Sequence, residues 1–388
     1  MVSAYPPPDS IKAGSIVTRC GQGKGDAMRP TRALHELGQS LWLDNVTREL
    51  LNSGTLQSYI DDFSVTGLTS NPTIFDHAIR NSATYDGDIA RKAPSAKSRE
   101  DLFFELALAD LTRAAELFQP VFARTDGLDG WVSLEVSPVL AHDTDGTLAA
   151  ARDLHRRAGK PNLFIKIPGT PEGLPAIEAA IFAGVPVNVT LLFSREQYIA
   201  AAEAYLRGVE RRIKAGLNPA VASVASLFIS RWDVAVSGKV PGELTNRLGI
   251  AIAQRTYRAY RELLASARVQ RAANAGARAQ RLLWASTGTK DPGASDTLYV
   301  KALAAPFTVN TMPESTLKAF GDHGEVGDML APDGGDCEAV LASFAKAGVD
   351  IDALAVRLQN EGAGSFVKSW NDLMACIDSK SAALRKAS

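Results

Sequence analysis

From about residue 40 onward, short apolar runs alternate with longer stretches whose apolar residues follow helical spacing. The β-like runs are SLWLDN (40–45), VTGLTSN (65–71), WVSLEVS (131–137), NLFIKIP (162–168), VPVNVTLLF (185–193), VASVASLFIS (221–230), RLLWAST (281–287) and FTVNTMP (307–313). Between them lie amphipathic segments such as SREDLFFELALADLTRAAELF (98–118) and SREQYIAAAEAYLRGVERRIKAG (194–216). This alternation predicts parallel strands joined by helical crossovers. Eight such units close into a single (β/α)8 TIM barrel, an α/β fold. The rival, a doubly wound open sheet, would call for a glycine-rich first βα turn of dinucleotide type, and the sequence has none. The tail from Asp333 to Ile377 reads as extra C-terminal helices packed on the barrel, joined by turns at Gly348 and at Gly362–Gly364.

Strand side chains alternate faces, so parity sorts them. In the fourth run Leu163, Ile165 and Ile167 share one face, and Phe164 and Lys166 the other. In the third, Val132, Leu134 and Val136 oppose Ser133, Glu135 and Ser137. In the fifth, Val187, Val189 and Leu191 oppose Asn188 and Thr190. The first run brings Asp44 near its end, the second Thr69 and Asn71, the sixth Ser226 and the seventh Ser286. One face stays apolar while the other turns polar toward the carboxyl ends, where barrel enzymes build their sites.

Lys166 is the residue that least fits its run, because apolar neighbours cannot replace the hydration of an ammonium. Desolvation disfavours the charged form of a lysine, and the free amine can attack a carbonyl and form a Schiff base. The alternative is a structural ion pair with Glu135 or Asp44, although buried pairs often cost more than they return. Carbinolamine formation, its dehydration and C–C cleavage all require proton transfers, which gives both carboxylates a use. Asn71 and Asn188 suit substrate hydroxyls.

Composition narrows the classes. With 388 residues, 46% of them hydrophobic, the chain can bury a large core. Lys plus Arg (42) nearly cancels Asp plus Glu (43), so the net charge of −1 gives no argument for a nucleic-acid or membrane surface. Three cysteines, Cys20, Cys337 and Cys376, lie far apart without a C-x-x-C pair, which fits reduced thiols in a cytoplasmic protein. No apolar run approaches the roughly 18 residues of a membrane span. Residues 1–30, rich in Pro and Gly, read as a disordered arm, residues 31–380 as the barrel with its C-terminal helices, and Met28 as an alternative start. GQGKGD (21–26) misses the Walker A spacing, HDTDGT (142–147) lacks the later ligands of a calcium loop, and the five histidines show no ligand spacing. The expectation is no metal.

Taken in order, LTSNPTIF (68–75), SLEVSP (133–138), FIKIPGT (164–170), NVTLLFS (188–194) and SLFISRWD (226–233) resemble the strand motifs of the transaldolase family. GQSLWLDN (38–45), LLWASTGTKDP (282–292), VNTMPESTLKAF (309–320) and EGAGSFVKSWNDL (361–373) are similar to its longer bacterial members, so the resemblance spans about residues 34–377. It implies a barrel of the class I aldolase kind that needs no cofactor, because the lysine supplies the electron sink. By the same resemblance, Lys166 forms the imine, Asp44 is the acid/base at the C4 hydroxyl, and Glu135 acts through a water held with Thr190. Asn71 and Asn188 would hold the dihydroxyacetone hydroxyls with Ser226 close by, and Arg231 would bind phosphate. Shorter members carry a second phosphate arginine after the seventh strand; ASTGTK here leaves Ser286 and Lys290 as substitutes.

The implied reaction moves a dihydroxyacetone unit from sedoheptulose 7-phosphate to glyceraldehyde 3-phosphate. The nearest rival, a fructose-6-phosphate aldolase releasing free dihydroxyacetone, typically has Gln and Tyr where this chain has Glu135 and Phe228. A non-catalytic sugar-phosphate-binding barrel would be marked by loss of Lys166 or Glu135, and both are present. The expected partners are small sugar phosphates, with no nucleic acid and no membrane, and a homodimer is left open as the assembly.

Overall fold

The computed structural model describes residues 28–387. Eight parallel strands pair in chain order and the eighth returns to the first, closing the barrel. They are β1 (Ser40–Leu43), β2 (Val65–Thr69), β3 (Trp131–Glu135), β4 (Leu163–Pro168), β5 (Val187–Leu192), β6 (Ser223–Phe228), β7 (Gln280–Ala285) and β8 (Val309–Met312). Several stop short of the apolar run that predicts them. β2 ends at Thr69 because Asn71 leaves the ladder to accept from Ile74 N–H and cap the helix Pro72–Asn81. The long helices Arg99–Arg124 and Arg195–Lys214 start where the sequence predicts, each capped by the side chain of a serine, Ser98 or Ser194. No described helix is long and apolar enough to cross a membrane.

The amino-terminal end of the barrel is packed with aromatic side chains around a cavity of about 250 Å³ that Trp131, Phe164 and Arg281 line. Trp131 stacks on Phe164 with ring centroids 4.1 Å apart, and Trp42 lies 6.0 Å from Phe164. Gly67 makes room for them: a Cβ there would sit 2.7 Å from both the Trp42 ring and the Trp131 carbonyl. Next to this aromatic layer Arg281 of β7 lies buried in the barrel end. It donates to Thr308 O (2.9 Å) and Leu128 O (3.0 Å), meets Asp129 Oδ1 at 3.2 Å, and also donates to Ser40 Oγ. Ser40 in turn donates to Asp129 Oδ2 at 2.7 Å. One guanidinium therefore ties together β1, β7 and the segments that lead into β3 and β8. The polar ends of the strands at the other mouth stay open.

The tail departs from expectation at one turn. Gly348 does turn the chain, in the left-handed region at φ 87°. Gly362 and Gly364 do not, because one helix runs unbroken from Ile351 to Ala387. Gly362 serves close packing instead: a Cβ there would lie 3.0 Å from Leu191 Cδ2 at the end of β5. A glycine read as a breaker by composition is here a contact point. The arm expected over residues 1–30 lies outside the described residues up to residue 27, and the chain becomes helical at Pro30. Cys20 and the GQGKGD segment are outside them too.

Asp129→Ala would leave Arg281 as an unpaired buried charge, at a cost on the order of 3–5 kcal/mol of unfolding free energy. Urea denaturation checks this, and a loss within about 0.5 kcal/mol would show that this end does not depend on the pair.

Candidate active site

The candidate side chains come from the strands or from the segments after their carboxyl ends, Arg231 from the helix Ser230–Val236. Lys166 lies on β4 with Glu135 of β3 and Asn188 of β5 as its direct neighbours in register. Its Nζ is 3.3 Å from Glu135 Oε2, and it donates to Ser70 O at 3.3 Å. Both charged side chains are buried, at 7% and 4% exposure. The structural ion pair weighed above is thus present, but its alignment is poor. Neither Glu135 oxygen has a well-directed hydrogen bond among the described residues, so the pair lacks the geometry that offsets burial. Burial pushes the Glu135 carboxyl above the usual carboxylate range, Lys166 opposes that rise, and the negative charge of Asp44 adds to it.

Above Lys166 the barrel opens into a cavity of about 610 Å³. Asp44 stands on its wall just past β1, held in the ladder by donating its N–H to Met312 O at 2.8 Å. Its Oδ1 accepts from Thr69 Oγ1 (2.8 Å), and Thr69 pairs with Thr311 Oγ1 at 2.7 Å. Asn71, Thr190, Ser226 and Phe228 line the same cavity. Asn71 Oδ1 is occupied as a helix cap, which leaves its amide N–H groups as the donors. Thr190 Oγ1 is buried and has no hydrogen-bond partner among the described residues. Arg231, Ser286 and Lys290 also line the cavity, with Arg231 and Lys290 exposed, so two cationic groups stand at its rim. Ser286 is held in the left-handed region at φ 57° and pairs with Ser230 Oγ at 2.8 Å.

Two of the predicted residues are not on the wall. Glu135 lies behind Lys166, and Asn188 is fully buried with its amide engaged on both sides. Asn188 Nδ2 donates to Ser133 Oγ (3.2 Å), and Oδ1 accepts from Ser226 Oγ (2.7 Å). In this arrangement Asn188 supports its neighbours, and Ser226 is the polar side chain of that pair that faces the cavity.

Sequence reasoning missed Phe366, whose ring centroid lies 5.5 Å from Lys166 Nζ and which lines the cavity from the C-terminal helix. A usable signal was present. Gly362, Phe366 and Trp370 are spaced by four, so they fall on one helical face. Gly362 packs on Leu191, Phe366 enters the site and Trp370 is buried. Among the described residues no cluster of three or more His, Cys, Asp or Glu could hold a metal ion.

The arrangement can perform amine–carbonyl chemistry: a nucleophilic amine on the floor, a carboxyl of raised proton affinity behind it, a second carboxylate on the wall and a cationic rim for an anionic group. Comparison with known proteins points the same way. The profile of the transaldolase/fructose-6-phosphate aldolase family matches residues 41–377. A protein from Saccharopolyspora erythraea named transaldolase is 45% identical over 352 residues, 89% of this chain and 96% of its own. Another so named, from Thermobifida fusca, is 45% identical over 354 residues, with the same coverage of 89% and 96%. A protein from Nostoc named transaldolase 2 is 39% identical over 366 residues, again covering 89% and 96%.

Lys166→Met would remove the cation that restrains Glu135, so the folded-state pKa of that carboxyl would rise further. A carboxyl whose pKa is raised in the folded state keeps its stabilising contribution below the unfolded value of about 4.3 and loses it as pH rises toward the folded value. The variant should therefore be close to the parent near pH 4 and less stable at pH 7.5, by on the order of 3 kcal/mol. Chemical denaturation at the two pH values measures this, and equal destabilisation at both would show that the two charges are not coupled.

Proposed function

The chain belongs to the transaldolase/fructose-6-phosphate aldolase family and is an enzyme with transaldolase activity, and from that premise we propose which of its residues carry the reaction. A dihydroxyacetone unit passes from sedoheptulose 7-phosphate to glyceraldehyde 3-phosphate, giving erythrose 4-phosphate and fructose 6-phosphate in the non-oxidative pentose phosphate pathway. The observation that carries this assignment is Lys166 Nζ on the cavity floor, 3.3 Å from Glu135 Oε2, with Asp44 on the adjoining wall.

The Lys166 amine adds to the ketose C2 carbonyl, and the resulting carbinolamine loses water to form the iminium. Glu135, with its raised proton affinity, supplies and recovers the protons of those steps through a water held with Thr190. Asp44 takes the proton of the C4 hydroxyl as the C3–C4 bond breaks, and the electron pair moves into the iminium to give an enamine. The aldehyde leaves, glyceraldehyde 3-phosphate enters, and the enamine carbon attacks it while Asp44 returns the proton. Hydrolysis of the new iminium frees the ketose and restores the amine.

Asn71 and Ser226 hold the hydroxyls of the three-carbon unit, and Asn188 assists through Ser226. Arg231 takes the phosphate as a bidentate partner, with Ser286 and Lys290 beside it; a lysine serves there as a point charge. Phe228 gives that wall an apolar face. The lysine is the electron sink, so the proposed chemistry uses no cofactor. The same reading sets the enzyme in the cytoplasm, with a homodimer as the assembly that sedimentation would test.

Borohydride reduction in the presence of fructose 6-phosphate, followed by peptide mapping, should give one adduct, on Lys166. An adduct elsewhere would overturn the mechanism. Release of free dihydroxyacetone at a rate matching transfer would favour the aldolase chemistry of the family's other branch.

A further inference from the structure

The C-terminal helix reaches the catalytic strands at a second point besides Phe366. Gln359, one turn before Gly362, is buried and directs its side-chain amide at two backbone carbonyls. Its Nε2 donates to Leu191 O at 2.9 Å and to Gly169 O at 3.1 Å. These carbonyls belong to the chain just past β4, three residues after Lys166, and to the end of β5, one residue after Thr190. Gly169 N–H also donates to Thr190 O at 2.7 Å. A single primary amide therefore completes a hydrogen-bonded circuit through the strand that carries the nucleophile and the strand that carries Thr190.

Leu191 is where that circuit matters. It is a buried leucine in the left-handed region, φ 61°, a conformation a bulky side chain adopts only when its surroundings impose it. The β5–β6 register shifts between Val189 and Leu192, so regular pairing is interrupted there. Gly362 lets the helix approach to where a Cβ would be 3.0 Å from Leu191 Cδ2, close enough for Gln359 to reach the carbonyl. Thr190 Oγ1 has no hydrogen-bond partner among the described residues, so the backbone is what places this residue on the lining of the cavity.

We propose that Gln359 is a positioning residue for the water-handling steps, holding Thr190 in place through the backbone of Leu191 and Gly169. The proposal rests on the role assigned to Thr190 above. Displacing a positioned group by about 1 Å can cost up to a hundredfold in rate, and Gln359 acts here on a hydroxyl it does not touch.

The test is a double-mutant cycle of Gln359→Met, which keeps the side-chain length without the amide, and Thr190→Val. Gln359→Met should lower kcat about tenfold with KM for sedoheptulose 7-phosphate within about twofold of the parent. In single turnovers with borohydride quench, the Lys166 adduct should build up correspondingly more slowly. The double variant should be no slower than Thr190→Val alone, because both changes remove one function. Additive losses, an unchanged kcat in Gln359→Met, or an effect on KM alone would overturn the proposal while leaving the role of Thr190 standing. A parent-like kcat in Thr190→Val would overturn both. If Gln359→Met does not fold, Gln359→Glu serves in its place. Its ionised carboxylate cannot donate, so its kcat relative to the parent should recover as acidification supplies one O–H donor, and a flat ratio would count against the proposal.

Discussion

The close approach of Lys166 to Glu135 inside the barrel is the interaction on which the rest of the site depends. The two side chains are held at 3.3 Å with almost no exposure, yet neither Glu135 oxygen has a well-directed hydrogen bond among the described residues. Burial pushes the Glu135 carboxyl upward, which suits the proton-transfer role proposed for it beside Lys166. Parallel register sets the pair, since Glu135 and Lys166 are direct partners on adjacent strands. Closure of the barrel turns both side chains inward, with Lys166 on the lining of the cavity and Glu135 off its wall.

The two ends of the barrel divide the labour. At the amino-terminal end Arg281 and Asp129, with Ser40 and the carbonyls of Thr308 and Leu128, form a compact polar cluster beside the layer of Trp42, Trp131 and Phe164. At the carboxyl end the same strands finish in Asp44, Asn71, Thr190, Ser226 and Ser286, which surround the cavity instead of filling it. The packed end ties the strands together, and the open end presents the groups proposed to react from neighbouring strands.

The helix Ile351–Ala387 supplies what the barrel strands do not. Phe366 brings an aromatic face over Lys166, and Gln359 joins the chain segments beyond β4 and β5. Gly362 between them permits the approach. A packing helix outside the barrel thus reaches the site through Gln359, Gly362 and Phe366, spaced three and then four positions apart.

The barrel was legible from alternation, and the inward set from parity: a period of two forces Lys166 and Glu135 onto the lumen face once their strands are parallel. Family motifs in order supplied the transaldolase reading for the same positions. Parity says nothing of depth, so Asn188 and Ser226, both inward, could not be separated into a supporting residue and a wall residue. Composition misjudged Gly362, because a glycine that breaks a helix and one that admits a neighbour are the same letter. The roles of Phe366 and Gln359 depend on contacts nearly two hundred residues apart in the chain. Local sequence therefore determined the strands, their faces and the candidate nucleophile, since these follow from short-range periodicity and side-chain chemistry. Only tertiary packing decided which polar groups reach the cavity and which helix completes it, because those outcomes turn on distances between segments that no local pattern encodes.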